Sequence, residues 1–150
     1  MRKRHLFSVL AAILALSCFS EAKQLAIIAD KGSETSNVKA GDLTNLLNGK
    51  TKTWPDGKAV KVVLRDPSSP DMELVLRRVL NMTADQARAL IQSHSGQFVV
   101  AESDEAVLRM VSSTHGAIGI VDLYSLTKDV NVVKIDGKLP FDSGYLLKGN

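Results

Sequence analysis

The sequence predicts an α/β domain built on a mainly parallel central sheet flanked by helices. Three observations carry that prediction. Short apolar runs of strand length recur along the chain, amphipathic runs of about ten residues lie between them, and capping or turn residues mark the junctions. No internal repeat, low-complexity segment or long linker interrupts the alternation, so one domain is expected.

The first 22 residues stand outside this pattern. MRKRHLFSVLAAILALSCFSEA has a basic start, an apolar run from Leu6 to Phe19 and small residues near its end, which is the plan of a secretory signal. The run of about fourteen residues falls short of the ~20 that span a bilayer as a helix, and no other segment approaches that length. Ser20 and Ala22 fit a small-x-small rule and place cleavage after Ala22. The competing expectation is a lipoprotein acylated at Cys18, although ALSC has Ala15 where leucine is usual. In either case the domain expected over 23–150 contains no cysteine, hence no disulfide and no thiol chemistry.

Each element has a local reason. QLAIIAD (24–30) is a strand ended by the turn formers Asp30 and Gly32. In SNVKAGDLTNLLNGK, the residues Val38, Leu43, Leu46 and Leu47 share a helical face, and Gly49 sits where a C-terminal cap belongs. Pro55-Asp56-Gly57 is a turn, followed by a strand through Val60, Val62 and Leu64. Met72, Val75, Leu76, Val79 and Leu80 keep helical period behind Ser-Pro-Asp, with Arg77 and Arg78 facing away. TADQARALIQSH opens with Thr83 and Gln86 at capping-box spacing. GQFVVAES is a strand, and DEAVLRMVSST is a helix with Ala106, Val107, Met110 and Val111 inward. GAIGIVDL is another strand, and NVVKIDGKLPFDSGYLL closes the chain with a strand, an Asp-Gly turn and a Pro-Phe loop.

Charge and motif spacing exclude several classes of function. Three of the 19 Lys and Arg and one of the 16 Asp and Glu lie in the leader, which leaves a net +1 on 23–150. That is too little, and too scattered, for a nucleic-acid surface. Gly49-Lys50-Thr51 imitates the tail of a phosphate loop, but Thr44 stands where its first glycine should be and a helix precedes it where a strand should. His94 and His115 have no second ligand at metal-site spacing, and no G-x-S-x-G elbow occurs. Asp104 and Glu105 open a helix, where negative charge suits the macrodipole without a catalytic role. Trp54 reads better as a core plug or a lid over the sheet edge than as a ligand-stacking platform. The expectation is therefore a non-enzymatic protein with no catalytic residues, no metal site and no cofactor.

One place invites a ligand. Arg65 falls at the carboxyl end of a strand, where open α/β sheets bind their ligands, and Ser68 and Ser69 supply hydroxyls at the start of the next helix. The amides of Asp71 and Met72 are first-turn donors. Pro70, lacking N–H, and the negative Asp66 and Asp71 oppose an anion there, so a capped strand-to-helix turn, with Arg65 paired to Asp66 or Asp71, remains an alternative.

The series LAIIAD, DLTNLLNGKTKTWPDGKAVKVVLRDPSSP, VSSTHGAIGIVD and VVKIDGKLPFDSGYLL, in this order, resembles the phosphate-binding proteins of bacterial phosphate ABC transporters, and more closely their short stand-alone relatives. The resemblance runs over nearly all of 23–150 and implies a single lobe of a type 2 periplasmic-binding-protein fold. Arg65 matches an arginine of that family and Ser69 the serine of its Ser-Gly-Thr, whereas Pro70 and Asp71 replace the Gly and Thr. The other lobe, with its share of phosphate donors, has no counterpart in the sequence. The resemblance implies a periplasmic protein that binds phosphate or another oxoanion through Arg65 and Ser69, to which the strand-end turn adds Ser68, weakly or with an envelope partner or second copy supplying the other wall. The alternative is a ligand-free envelope adaptor or sensor built on one lobe.

Overall fold

The computed structural model describes residues 23–149; the expected leader, with its cleavage point and Cys18, lies outside them. Six strands, β1 (Leu25–Asp30), β2 (Asn37–Val38), β3 (Lys61–Arg65), β4 (Phe98–Ala101), β5 (Ala117–Asp122) and β6 (Val130–Ile135), form one sheet in the order β2-β6-β1-β5-β3-β4. Pairing is parallel between β2 and β6, β5 and β3, and β3 and β4, and antiparallel where β1 meets β5 and β6. Thus β1 alone runs against the rest, inside an otherwise parallel sheet.

Helices cover both faces, which explains why the strands read as continuous apolar runs. On one face, α1 (Ala40–Leu47), α2 (Pro70–Val75) and α3 (Ala84–Ser93) close over Leu25, Ile27, Val62, Leu64, Ile118 and Ile120. On the other, α4 (Asp104–Ser113) lies over Ala26, Ile28, Val63 and Val121. The C-terminal segment returns to the first face, where Leu147 and Tyr145 are buried and Leu25 N donates to Leu147 O at 3.0 Å.

Local chemistry accounts for the boundaries. Helix α1 ends in a Schellman motif: Lys50 N donates to Asn45 O at 3.0 Å and Gly49 N to Leu46 O at 3.3 Å, with Gly49 at φ 78°. The Gly-Lys-Thr triplet is therefore a helix stop. The Thr83–Gln86 capping box is complete, with Gln86 N donating to Thr83 Oγ1 at 3.2 Å and Thr83 N to Gln86 Oε1 at 2.9 Å. Asp136 and Gly137 form a two-residue hairpin, both at positive φ. Trp54 is half-buried against the first core, and its Nε1 donates to Gly116 O at 2.8 Å.

Three expectations need correction. Val38 is not helical, because Asn37 and Val38 pair with Lys134 and Ile135 of β6 and the helix begins only at Ala40. Met110 is turned outward and Leu108 is buried instead, since the side of α4 carrying Leu108 meets Leu126 and Val130. The helix after Pro70 is not regular: α2 passes at Leu76 into a π-helical turn, Leu76–Leu80, that ends on Asn81 at φ 48°.

Candidate functional site

The parallel strands bring their carboxyl ends to one edge. In register, Arg65 at the end of β3 stands beside Ala101 at the end of β4, so the start of α4 arrives next to it. Arg65 Nη1 donates to Asp104 Oδ1 at 3.0 Å. Asp104 Oδ2 accepts from Asp122 N at 3.0 Å and from Ser125 Oγ at 2.9 Å, so the carboxylate is held from β5 as well. Neither Asp66 nor Asp71 is the partner of Arg65. The other guanidinium N–H groups have no partner among the described residues, and the side chain is 27% exposed.

Asp66 instead organises its own turn. It accepts from Ser68 N at 2.8 Å, from Ser68 Oγ, and from Arg88 Nη2 at 3.4 Å. These donors, Ser68 Oγ foremost, hold its carboxyl below the usual range. Asp71 is taken by Lys23 Nζ, which also lies 3.7 Å from Asp122, and the Asp71 bond pushes the Lys23 ammonium up. Pro70 opens α2, and Asp71 and Glu73 sit in its first turn, so the N-terminus of this short helix offers little to an anion.

The candidate residues thus have different situations. Arg65 is anchored but incompletely used, and the Ser68 hydroxyl is committed to Asp66. The Ser69 hydroxyl is buried without a hydrogen-bond partner, and it makes no side-chain cap to α2. Ser68 and Ser69 line an open groove of about 590 Å³ between α2, the π turn and the start of α3, whereas the Arg65 guanidinium lies outside that lining. Asp104 and Lys23 were not foreseen as members of this edge. The signal for Asp104 was the adjacency of β3 and β4 in the sheet, which chain order suggests but does not specify.

The opposite edge carries the histidine. Asp30 is 3% exposed, and its Oδ2 lies 3.1 Å from His115 Nδ1 while its Oδ1 receives Gly116 N at 3.4 Å. His94 caps α3 through Leu90 O and meets Phe98 edge-on. Among the described residues no group of three or more His, Cys, Asp or Glu is placed to hold a metal ion, and no helix is long and apolar enough to cross a membrane.

This architecture has close counterparts among solved structures. An ABC-type phosphate transport receptor from Vibrio cholerae superposes with a TM-score of 0.71 at 16% identity, over 85% of this chain and 54% of the receptor. PstS from Borrelia burgdorferi gives 0.71 at 20% identity, over 86% and 55%. The fold is one lobe of a periplasmic-binding-protein-like fold. A phosphate ABC transporter substrate-binding protein with bound phosphate from Clostridium perfringens gives 0.67 at 18% identity, over 79% and 47%. The chain spans about half the length of the structures it matches first. No family model and no curated protein matches the sequence.

Proposed function

We propose that the protein is a non-enzymatic, periplasmic binding-protein-like domain related to phosphate uptake, which holds phosphate or a similar oxoanion at the Arg65 edge. Residues 1–22 serve as its export signal. The observation that carries this reading is a guanidinium fixed through Nη1 by Asp104, with its remaining donors unpaired, followed four residues later by a buried hydroxyl that has no partner. The guanidinium is partly exposed, so its unpaired donors are within reach of an oxoanion. The folds sharing this architecture support the ligand class, since the proteins named above are phosphate transport or binding proteins. An open edge leaves the anion partly wet, so affinity is modest.

Calorimetric titration of phosphate and sulfate into the purified protein tests this. Saturable binding in the wild type and its loss in an Arg65→Ala protein that is still folded, though less stable for want of the Asp104 pair, is the expected result. No heat from a folded wild type, or unchanged binding in Arg65→Ala, would remove the proposal.

A second reading is favoured by two other observations. Asp66, Asp71, Asp104 and Asp122 outnumber Arg65, Lys23 and Arg88 at this edge, and Tyr124 and Phe141, 75% and 73% exposed, belong to segments tied to Gln24 on either side of it. In this reading the lobe is a ligand-free envelope adaptor or sensor whose edge meets a protein.

A further inference from the structure

Independently of the oxoanion reading, we propose that the lateral edge of β4 is an interface between two copies of this chain, paired antiparallel about a twofold axis at Val100. The sheet ends in two unlike lateral edges. At one, β2 has only two residues, and Asn37 Oδ1 is taken by Gly137 N at 2.7 Å. At the other, β4 consists of four apolar residues in unbroken register with β3, with no charge, proline or bulge, so it lacks the devices that keep sheet edges from pairing. Val62 N donates to Gln97 O at 2.9 Å, which fixes the phase of the ladder. In parallel pairing this turns the Val99 and Ala101 amides towards β3, and it turns the Val100 N–H and C=O and the Phe98 C=O away from the sheet. These three groups have no hydrogen-bond partner among the described residues. Apolar surface accompanies them: Val100 is 43% exposed, and Met110, 37% exposed, lies on the flank of α4 away from Leu108. Because Leu108 packs with Val130 of β6, that flank turns towards β4.

A second copy is the occupant that matches this edge to itself. With the axis at Val100, each Val100 N–H donates to the Val100 C=O of the other copy, the two valine side chains lie directly opposite, and Val99 faces Ala101. The charge next to the strand, Glu102, comes opposite Phe98 and stands about 14 Å from its mate, beyond the Debye length at physiological salt. A four-residue strand with a Met110 flank is small against the roughly 1,200 Å² of a stable interface, so the dimer forms and dissociates with concentration.

Sedimentation equilibrium of the purified protein from about 10 µM to about 1 mM, paired with ¹⁵N–¹H amide spectra over the same range, tests this. The wild type is expected to pass from monomer to dimer, with concentration-dependent amide shifts centred on 98–102 and largest at Val100. Val100→Lys, at an exposed position, is expected to stay folded and monomeric, because pairing would set two ammonium groups face to face. Val100→Thr keeps the β-branch and the backbone pair, and is expected to associate within about threefold of wild type. Tyr124→Ser with Phe141→Ser should leave this association unchanged. A wild-type monomer at the highest concentration would overturn the proposal and leave the edge to another chain or to none. Association retained in a folded Val100→Lys, or amide shifts away from 98–102, would overturn it equally. Should Val100→Lys unfold, the position of the wild-type amide shifts decides alone.

Discussion

Asp104 holds Arg65 through one nitrogen, so charge and fork geometry at position 65 are separable. Arg65→Lys keeps the cation but loses the planar donors, and is expected to bind phosphate more weakly than wild type while melting close to it. Asp104→Asn removes the competing carboxylate. It should tighten phosphate binding and lower stability by about 1–2 kcal/mol, because charge-assisted bonds to Arg65, Asp122 N and Ser125 are lost or weakened. Calorimetry paired with denaturant unfolding reads both effects; weaker binding in Asp104→Asn would mean that Asp104 orients Arg65 more than it competes for it. Ser69 illustrates what residue type alone conceals. Its place before Pro70 suggests a helix cap, yet no side-chain cap bond forms, so Ser69→Ala should leave stability unchanged or raised in the absence of ligand and weaken anion binding. Position at a strand end was legible from alternation and turn residues; the partner was not, because it depends on which strands lie side by side.

At the scale of elements, the GAIG segment has a packing reason at each glycine. A Cβ on Gly119 would lie 2.8 Å from both Val107 Cγ1 and Val111 Cγ2, so the glycine lets α4 settle on β5. Gly119→Ala should cost about 1–3 kcal/mol, measured by denaturant unfolding. Gly116, at φ 81° with Ala59 O at 2.4 Å from an added Cβ, allows the Trp54 turn to close on β5. The closing segment depends on Tyr145, whose buried hydroxyl donates to Leu25 O at 2.9 Å. Burial pushes its phenol well above the ordinary value, so the unfolded chain loses this proton first and stability falls as pH rises above about 10. Tyr145→Phe should flatten that alkaline loss and cost about 1 kcal/mol at neutral pH, readable from unfolding curves across pH. Caps and turns, as at Thr83 and Gly49, were legible because their interactions are local. Val38 and Leu74 were not: one is claimed by β6, and the other is buried at 3% exposure beside Gly149 of the C-terminal segment.

At the scale of the molecule, the alternation of strands and helices gave the layers, while the reversed direction of β1, buried along its whole length, could not be read from its sequence. A strand buried on both faces has no pattern that reports direction. The exposed Tyr124 and Phe141 lie on segments anchored to Gln24 at the Arg65 edge. Should the edge serve as an interface, sedimentation of the wild type will show concentration-dependent association that Tyr124→Ser with Phe141→Ser abolishes; a monomer at all concentrations would set self-association aside. The central claim concerns where an oxoanion goes, and a phosphate titration followed by ¹⁵N–¹H amide spectra addresses it residue by residue. The account predicts saturable shifts concentrated at 65–72, with smaller ones at Asp104 and Ser125; saturable shifts elsewhere, or none at all from a folded protein, would contradict it.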